Sequence, residues 1–306
     1  MIKIAFFGTS DRSIPLLDAL NDSDKTELVL TVTKDDVKTG RSQELKETGV
    51  KKWSKEHRIK CLTTNSLRGD KDKVIEQLND SDVVVVIVAD FSFMIPVEII
   101  KTPPFGLVNV HFSLLPRWRG ASPVQFAILN GDETTGITFH LVSKEIDRGA
   151  IIGAIEYKID DKPNAKELND VLFKTAAKKL PKIIHNYVSG KIQPQPQNES
   201  LATYTYSPTQ PKSTFVFKED GRIDWRKPAM EIDRMVRAYN PWPVAWTTLS
   251  GLAKAKNITI RKDKDTDLKV KIYKVDLVKN ELEIATLQIE GRKIMDWKDF
   301  LNGYAD

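Results

Sequence analysis

The sequence predicts an α/β chain: a parallel-sheet domain followed by a smaller domain of short strands. Three observations carry that reading. Residues 2–7 and 82–89 are apolar runs of strand length, the second unbroken, as a strand buried on both faces requires. Helical patterns separate the strands before residue 190, which lets those strands run parallel. Beyond residue 207 the pattern changes to alternating strands near 244–249, 256–262, 268–276 and 281–289, which suggests a small barrel or sandwich.

In chain order, residues 2–7 form a buried strand, and Gly8-Thr9-Ser10 turns into a helix near 11–20. Only one glycine stands in that turn, so the G-x-G-x-x-G fingerprint fails and a nicotinamide dehydrogenase is disfavoured. A strand fits 27–33. The polar loop 34–49 is long enough to suggest a function. Helical patterns at 50–58 and 70–79 flank a short segment at 59–63. After the strand 82–89, Phe91, Phe93 and Met94 either line a pocket for a flat ligand or pack under a loop. Ser122, Pro123 and Gln125 form a capping box for a helix ending at Gly131. Strands fit 136–142 and 150–157. A helix spans 165–188 on Leu168, Leu172, Leu180, Ile184 and Tyr187, with a disturbance expected at Pro181. The stretch 191–213, with four prolines, marks the connection, and 191–206 reads as a linker between domains 1–190 and 207–306. Pro228 opens a helix whose apolar face carries Ile232, Met235, Val236 and Tyr239.

Composition limits the function classes. The 306 residues suffice for two domains with their own cores, and 41 % hydrophobic with 29 % charged residues is ordinary for a globular protein. The longest apolar run, Val83 to Ala89, is too short to cross a bilayer, so no membrane association is expected. A single cysteine, Cys61, excludes an internal disulfide and fits a reducing cytoplasm. The 4 histidines show no metal-ligand spacing, so no metal is expected. Of the net charge of +5, residues 207–306 hold +4 (19 basic, 15 acidic) and the rest holds +1 (28 basic, 27 acidic). That surplus suits either a polyanion or solubility.

The stretch with the most chemistry is Leu107-Val108-Asn109-Val110-His111, followed by Ser113-Leu114-Leu115-Pro116-Arg117-Trp118-Arg119-Gly120 and, later, Ile146-Asp147-Arg148-Gly149. Asn109 and His111 share one face of a strand, since side chains two apart point the same way. Such a pair either ties down a loop or serves a site beyond the carboxyl end of the strand. An amide NH2 can donate to a developing oxyanion. A charged His111 can donate too, and Asp147 is expected to raise its pKa and hold it charged near neutrality.

From Asn109 through Gly120, and again at Asp147-x-Gly149, the chain resembles the folate-dependent formyltransferases. Ile223-Asp224-Trp225, the run Arg237 to Pro243 and the tail Leu287 to Met295 extend the resemblance into the second domain. It implies a Rossmann-like formyltransferase domain, a linker and a small C-terminal OB-like barrel. It implies 10-formyltetrahydrofolate as donor and initiator methionyl-tRNA as acceptor, with an amino-sugar nucleotide as the rival acceptor; a monomer is expected. Asn109, His111 and Asp147 fall on the catalytic positions. Phe91, Ser92, Phe93, Met94 and Ile95, with Ser113, Leu114, Leu115 and Pro116, fall on the folate site. Arg41 and Lys51 fall on a loop that contacts tRNA, where the pattern departs at Ser42, Gln43, Glu44 and Gly49.

Overall fold

The structure, a computed structural model, describes residues 1–39, 44–160 and 162–306. Contacts divide the chain into two compact units. One comprises Met1–Arg119, Gly136–Tyr157 and Asn169–Thr203; the other comprises Gly120–Thr135, Lys158–Leu168 and Tyr204–Asp306.

The first unit is organised on a sheet that starts with β1 (Ile2–Gly8) and β2 (Thr26–Lys34), joined by α1 (Ile14–Asn21). A short hairpin, β3 (Val37–Thr39) and β4 (Glu44–Lys46), precedes α2 (Gly49–Glu56), β5 (Lys60–Thr64) and α3 (Lys71–Asp80). Then come β6 (Val85–Ala89), α4 (Val97–Ile100) and β7 (Leu107–His111). After α5 (Pro123–Asn130), which belongs to the second unit, β8 (Thr134–Leu141) and β9 (Ile151–Lys158) complete the sheet, and α6 (Ala165–Val188) follows. Among the described residues the order is β5-β2-β1-β6-β7-β8-β9. Five strands are parallel, β5 through β7, and β8 runs antiparallel to β7. The chain winds outward from β1 in one direction to β2 and β5, then in the other from β6 to β7. The carboxyl ends of β1, β6 and β7 therefore line one edge at the switch in direction. The apolar runs read from sequence are the centre of the sheet: Phe6, Phe7, Val86 and Ile87 are fully buried.

Helix α6 shows how packing overrides a local signal. It runs unbroken through Pro181, where a disturbance was expected. Leu168, Leu172, Leu180 and Ile184 are buried along it, so side-chain packing holds the register past the missing N–H. The capping box expected at Ser122 does not form: Ser122 makes no side-chain cap bond, although α5 starts at Pro123 and stops at Gly131 with φ 67°.

In the second unit, α7 (Ala229–Ala238) leads to β10 (Ala245–Thr248), α8 (Leu249–Lys256), β11 (Lys269–Val278), β12 (Glu281–Ile289), β13 (Ile294–Asp296) and α9 (Trp297–Tyr304). The four strands make an antiparallel sheet in the order β10-β11-β12-β13. The strand expected at 256–262 is not one. Helix α8 runs to Lys256 and ends on Asn257 at φ 51°, and beyond it only an isolated bridge between Ile260 and Ala305 remains. β11 and β12 meet in a two-residue turn of Lys279 and Asn280, both with positive φ, which matches the twist of a hairpin. Val270, Ile272, Leu287 and Ile289 alternate inward against Ile232, Val236 and Phe300.

Leu287→Ala removes a fully buried side chain from this core and should lower stability by about 2–5 kcal/mol in denaturant unfolding. Val278→Ala, at a position 44 % exposed on the neighbouring strand, should change it by less than about 0.5 kcal/mol. Equal losses for the two would contradict the assignment of this core.

Candidate active site

The site is built where β7 ends. Its register sets Asn109 opposite His140 and His111 opposite Thr138 on β8. Asn109 Nδ2 donates to His140 Nε2 at 3.1 Å and makes a longer contact of 3.4 Å with Asp147 Oδ1. His111 Nδ1 lies 3.6 Å from Asp147 Oδ2, and His140 Nε2 lies 3.5 Å from Asp147 Oδ1. The fold thus brings Asn109, His111 and Asp147 together, and adds His140, which the sequence reading passed over. The available signal was a lone histidine inside the apolar strand Ile137-Thr138-Phe139-His140-Leu141. Its meaning depends on which strand pairs with which.

The segment after β7 holds His111 in one tautomer. Trp118, at φ 59°, turns its carbonyl back onto the ring, and His111 Nε2 donates to it at 3.0 Å. Thr203 clamps this segment at both sides: its hydroxyl accepts from the Trp118 amide, its carbonyl from the Arg119 amide, and its own amide donates to Pro116. With the proton on Nε2, a neutral His111 presents its Nδ1 lone pair toward Asp147. Burial pushes the pKa of His111 below the ordinary imidazole range, and the attraction of Asp147 does not overcome it. This corrects the expectation from sequence. Asp147 does not keep His111 charged, because removing the ring from water costs more than the carboxylate returns. His140 is oriented in the complementary way, with Nδ1 donating to the Leu141 carbonyl at 2.9 Å and Nε2 facing the cluster.

Asp147 sits on a strained loop at φ 52°. Gly149 lets that loop approach β8, since a Cβ there would stand 1.6 Å from the Leu141 carbonyl oxygen. The loop is also propped from the proline-rich stretch. Gln197 Nε2 donates to the carbonyls of both Asp147 and Gly149 at 2.8 Å each. Its Oε1 accepts from the fully buried Arg119, whose guanidinium also pairs with Glu199 at 2.7 Å. Arg119 and Arg148 together hold the Glu199 carboxyl down at about 2, so this latch stays charged at any working pH.

The other residues singled out from sequence are placed as follows. Phe91 packs on Phe7 and Phe93, each with ring centroids 5.4 Å away, so both aromatics serve the core beneath the loop. Ile95 is half-buried against the same core, while Ser92 is exposed and Met94 is 71 % exposed. Ser113 is buried and its hydroxyl donates to Arg117, whereas Leu114 and Pro116 are half-exposed and Leu115 is buried. These two segments follow adjacent parallel strands, β6 and β7. Lys51 Nζ is held by Asp36 at 2.7 Å and Glu47 at 3.4 Å. Arg41 lies outside the described residues.

Residues 2–184 match the formyl transferase family and residues 216–305 match the formyl transferase C-terminal domain, so the chain belongs to the formyl transferase family. It is 33 % identical, over 316 aligned residues, to a methionyl-tRNA formyltransferase of Bacillus velezensis, covering 99 % of this chain and 95 % of the relative. A methionyl-tRNA formyltransferase from Bacillus cereus is 34 % identical, over 99 % of this chain and 96 % of its own. Among solved structures, the methionyl-tRNA formyltransferase from Clostridium thermocellum superposes with a TM-score of 0.57 at 18 % identity, covering 94 % of this chain and 99 % of that one.

Gln197→Ala should lower kcat for formyl transfer by about 10–100-fold, the scale of a small misplacement of a reacting group, while leaving KM for the donor unchanged. A folded Gln197→Ala protein with wild-type kcat would show that the latch does not position Asp147.

Proposed function

We propose that this protein transfers the formyl group of 10-formyltetrahydrofolate to the amino group of initiator methionyl-tRNA, the step that prepares that tRNA for translation initiation. The observation that carries the reading is the convergence of Asn109, His111 and Asp147 at the end of β7, in a chain matched over nearly its whole length by methionyl-tRNA formyltransferases. The acceptor places the reaction in the cytoplasm. No helix among the described residues is long and apolar enough to cross a membrane. We take the enzyme to act as a monomer.

The chemistry follows from the protonation states. The amine attacks the formyl carbon and a tetrahedral intermediate forms with negative charge on oxygen. Asn109 Nδ2 donates to that oxygen, giving up its long contact to Asp147. Neutral His111 accepts the surplus proton of the amine at Nδ1, and Asp147 stabilises the imidazolium so formed. The same proton then passes to the departing folate nitrogen, and His111 returns to its neutral form. The donor supplies the formyl carbon and the leaving nitrogen. Ser92 and Met94 beyond β6, with Leu114 and Pro116 beyond β7, offer the accessible surface to hold it, and Phe91, Phe93, Ile95, Ser113 and Leu115 support that surface from below.

We assign tRNA binding to the second unit and read it as an OB-like barrel. The solvent face of its sheet supports this. Lys269 lies 3.9 Å from the centre of the Trp246 ring, and Arg222 lies 5.8 Å from the same ring. Lys271 pairs across from Trp246 and carries the row toward Gln288. Basic side chains around an aromatic ring suit a nucleic acid, whose phosphates pair and whose bases stack. Arg41 is assigned to the acceptor end. Lys51 contributes only by exchanging Asp36 and Glu47 for a phosphate.

The test supplies formyl donor with charged initiator tRNA, then with amino-sugar nucleotides. The tRNA should be formylated and the sugars not; the reverse would transfer the assignment to the rival acceptor. Asp147→Asn should lower turnover on tRNA by about 10²–10⁴-fold. Arg41→Ala should weaken the reaction at low salt, with a defect that shrinks as salt rises. Equal turnover of Arg41→Ala and wild type at low salt would remove Arg41 from the interface.

A further inference from the structure

We propose that His111, His140 and Asp147 form a binding site for one divalent transition-metal ion of the Zn²⁺ class, and that a bound ion blocks the reacting amine. The second half of this proposal rests on the transferase reading above; the first does not.

The donor atoms of the three side chains lie within 4.8 Å of one another. A tetrahedral zinc with bonds of roughly 2.0–2.3 Å spaces its ligands roughly 3.4 Å apart. The two histidine–carboxylate separations, 3.6 Å from His111 to Oδ2 and 3.5 Å from His140 to Oδ1, are near that spacing, and rotation of the carboxylate brings one oxygen between the two rings. The two imidazole nitrogens have to close by up to about 1.4 Å, which rotation of side-chain torsions supplies. Both histidines are oriented as metal-binding histidines are, with the outer ring nitrogen donating to a backbone carbonyl and the inner lone pair turned to the cluster; the His140 lone pair accepts from Asn109 Nδ2, which an ion displaces. For His111 the outer partner is Trp118 and for His140 it is Leu141. His111 and His140 are 5 % and 1 % exposed, so little water competes at the ring nitrogens.

The ligand set selects the ion. Two imidazoles and one carboxylate suit zinc and its first-row neighbours, whereas calcium and magnesium prefer all-oxygen sites. Three protein ligands leave a fourth position. An ion seated there takes the His111 Nδ1 lone pair, which the amine's proton needs. The site therefore predicts inhibition rather than activation.

The experiment titrates Zn²⁺ into the chelator-treated full-length protein and reads binding by calorimetry. One ion should bind per chain. His140→Gln and Asp147→Asn should each weaken binding at least about tenfold, the smallest loss seen when even a group that only hydrogen-bonds to a metal ligand is removed. His57→Ala and His185→Ala, at the remaining histidines, should leave it unchanged. Circular dichroism of each variant separates a lost site from a lost fold, and Asp147→Asn carries the test should His140→Gln unfold. In the formyl-transfer assay Zn²⁺ should compete with the amine acceptor and not with the folate, and a chelator should restore activity. Absence of one-to-one binding, or unchanged affinity in both folded variants, overturns the metal site whatever the acceptor proves to be. Binding at this site without inhibition overturns the blockade. A protein inactive on every acceptor that still binds Zn²⁺ here supports the metal site and counts against the functional reading alone.

Discussion

The hydrogen bond from His111 Nε2 to the Trp118 carbonyl is the constraint on which the site depends. It fixes which nitrogen holds the proton, and so which nitrogen the proposed reaction uses. It also depends on the path of the whole segment from Ser113 to Arg119, since the Trp118 carbonyl reaches the ring only because the backbone there takes a positive φ. Thr203 stabilises that path from a distance in sequence, with three hydrogen bonds to Pro116, Trp118 and Arg119. A buried imidazole held in this way resists charging. Its depressed pKa means that the protein loses stability as pH falls below about 6.5, the unfolded value, because the unfolded chain then binds a proton that the folded chain refuses.

A resting neutral His111 changes what Asp147 is for. A carboxylate beside a charged imidazole would form a settled ion pair, with no acceptor left for the amine. In the proposed mechanism, Asp147 beside a neutral ring instead stabilises the charge when it arrives, which is the differential stabilisation that lowers a barrier. This use requires Asp147 to stay in place before there is charge to attract it. The latch of Gln197, Arg119 and Glu199 supplies that hold through the backbone carbonyls of the loop.

Much of the fold was legible because it is periodic. The apolar positions of α6 and the unbroken strand β6 declare themselves by spacing alone. The region 256–262 misled because alternation over a few residues does not distinguish a strand from the end of a helix, and the left-handed cap at Asn257 needed a structure to be seen. The three residues Asn109, His111 and Asp147 were legible through motif. His140 was not, because its place opposite Asn109 is set by the pairing of β7 with β8, a long-range fact. The proline-rich stretch read as a connection from composition, yet Gln195 pairs with Ile151 and Gln197 props the Asp147 loop. Composition reports what a segment cannot become and says nothing of which carbonyls await it. The charge on His111 was misjudged for a related reason: a neighbouring acid can be read from sequence, but the depth of burial cannot.

The central claim is therefore about one proton. Nitrogen NMR of the protein with labelled histidine, at neutral pH and without substrate, reads the state of each ring nitrogen directly, with His111→Gln assigning the signal. The account predicts that His111 is neutral, with a proton on Nε2 and none on Nδ1. A His111 ring carrying protons on both nitrogens at neutral pH would contradict it, and would return Asp147 to the role of permanent counter-ion.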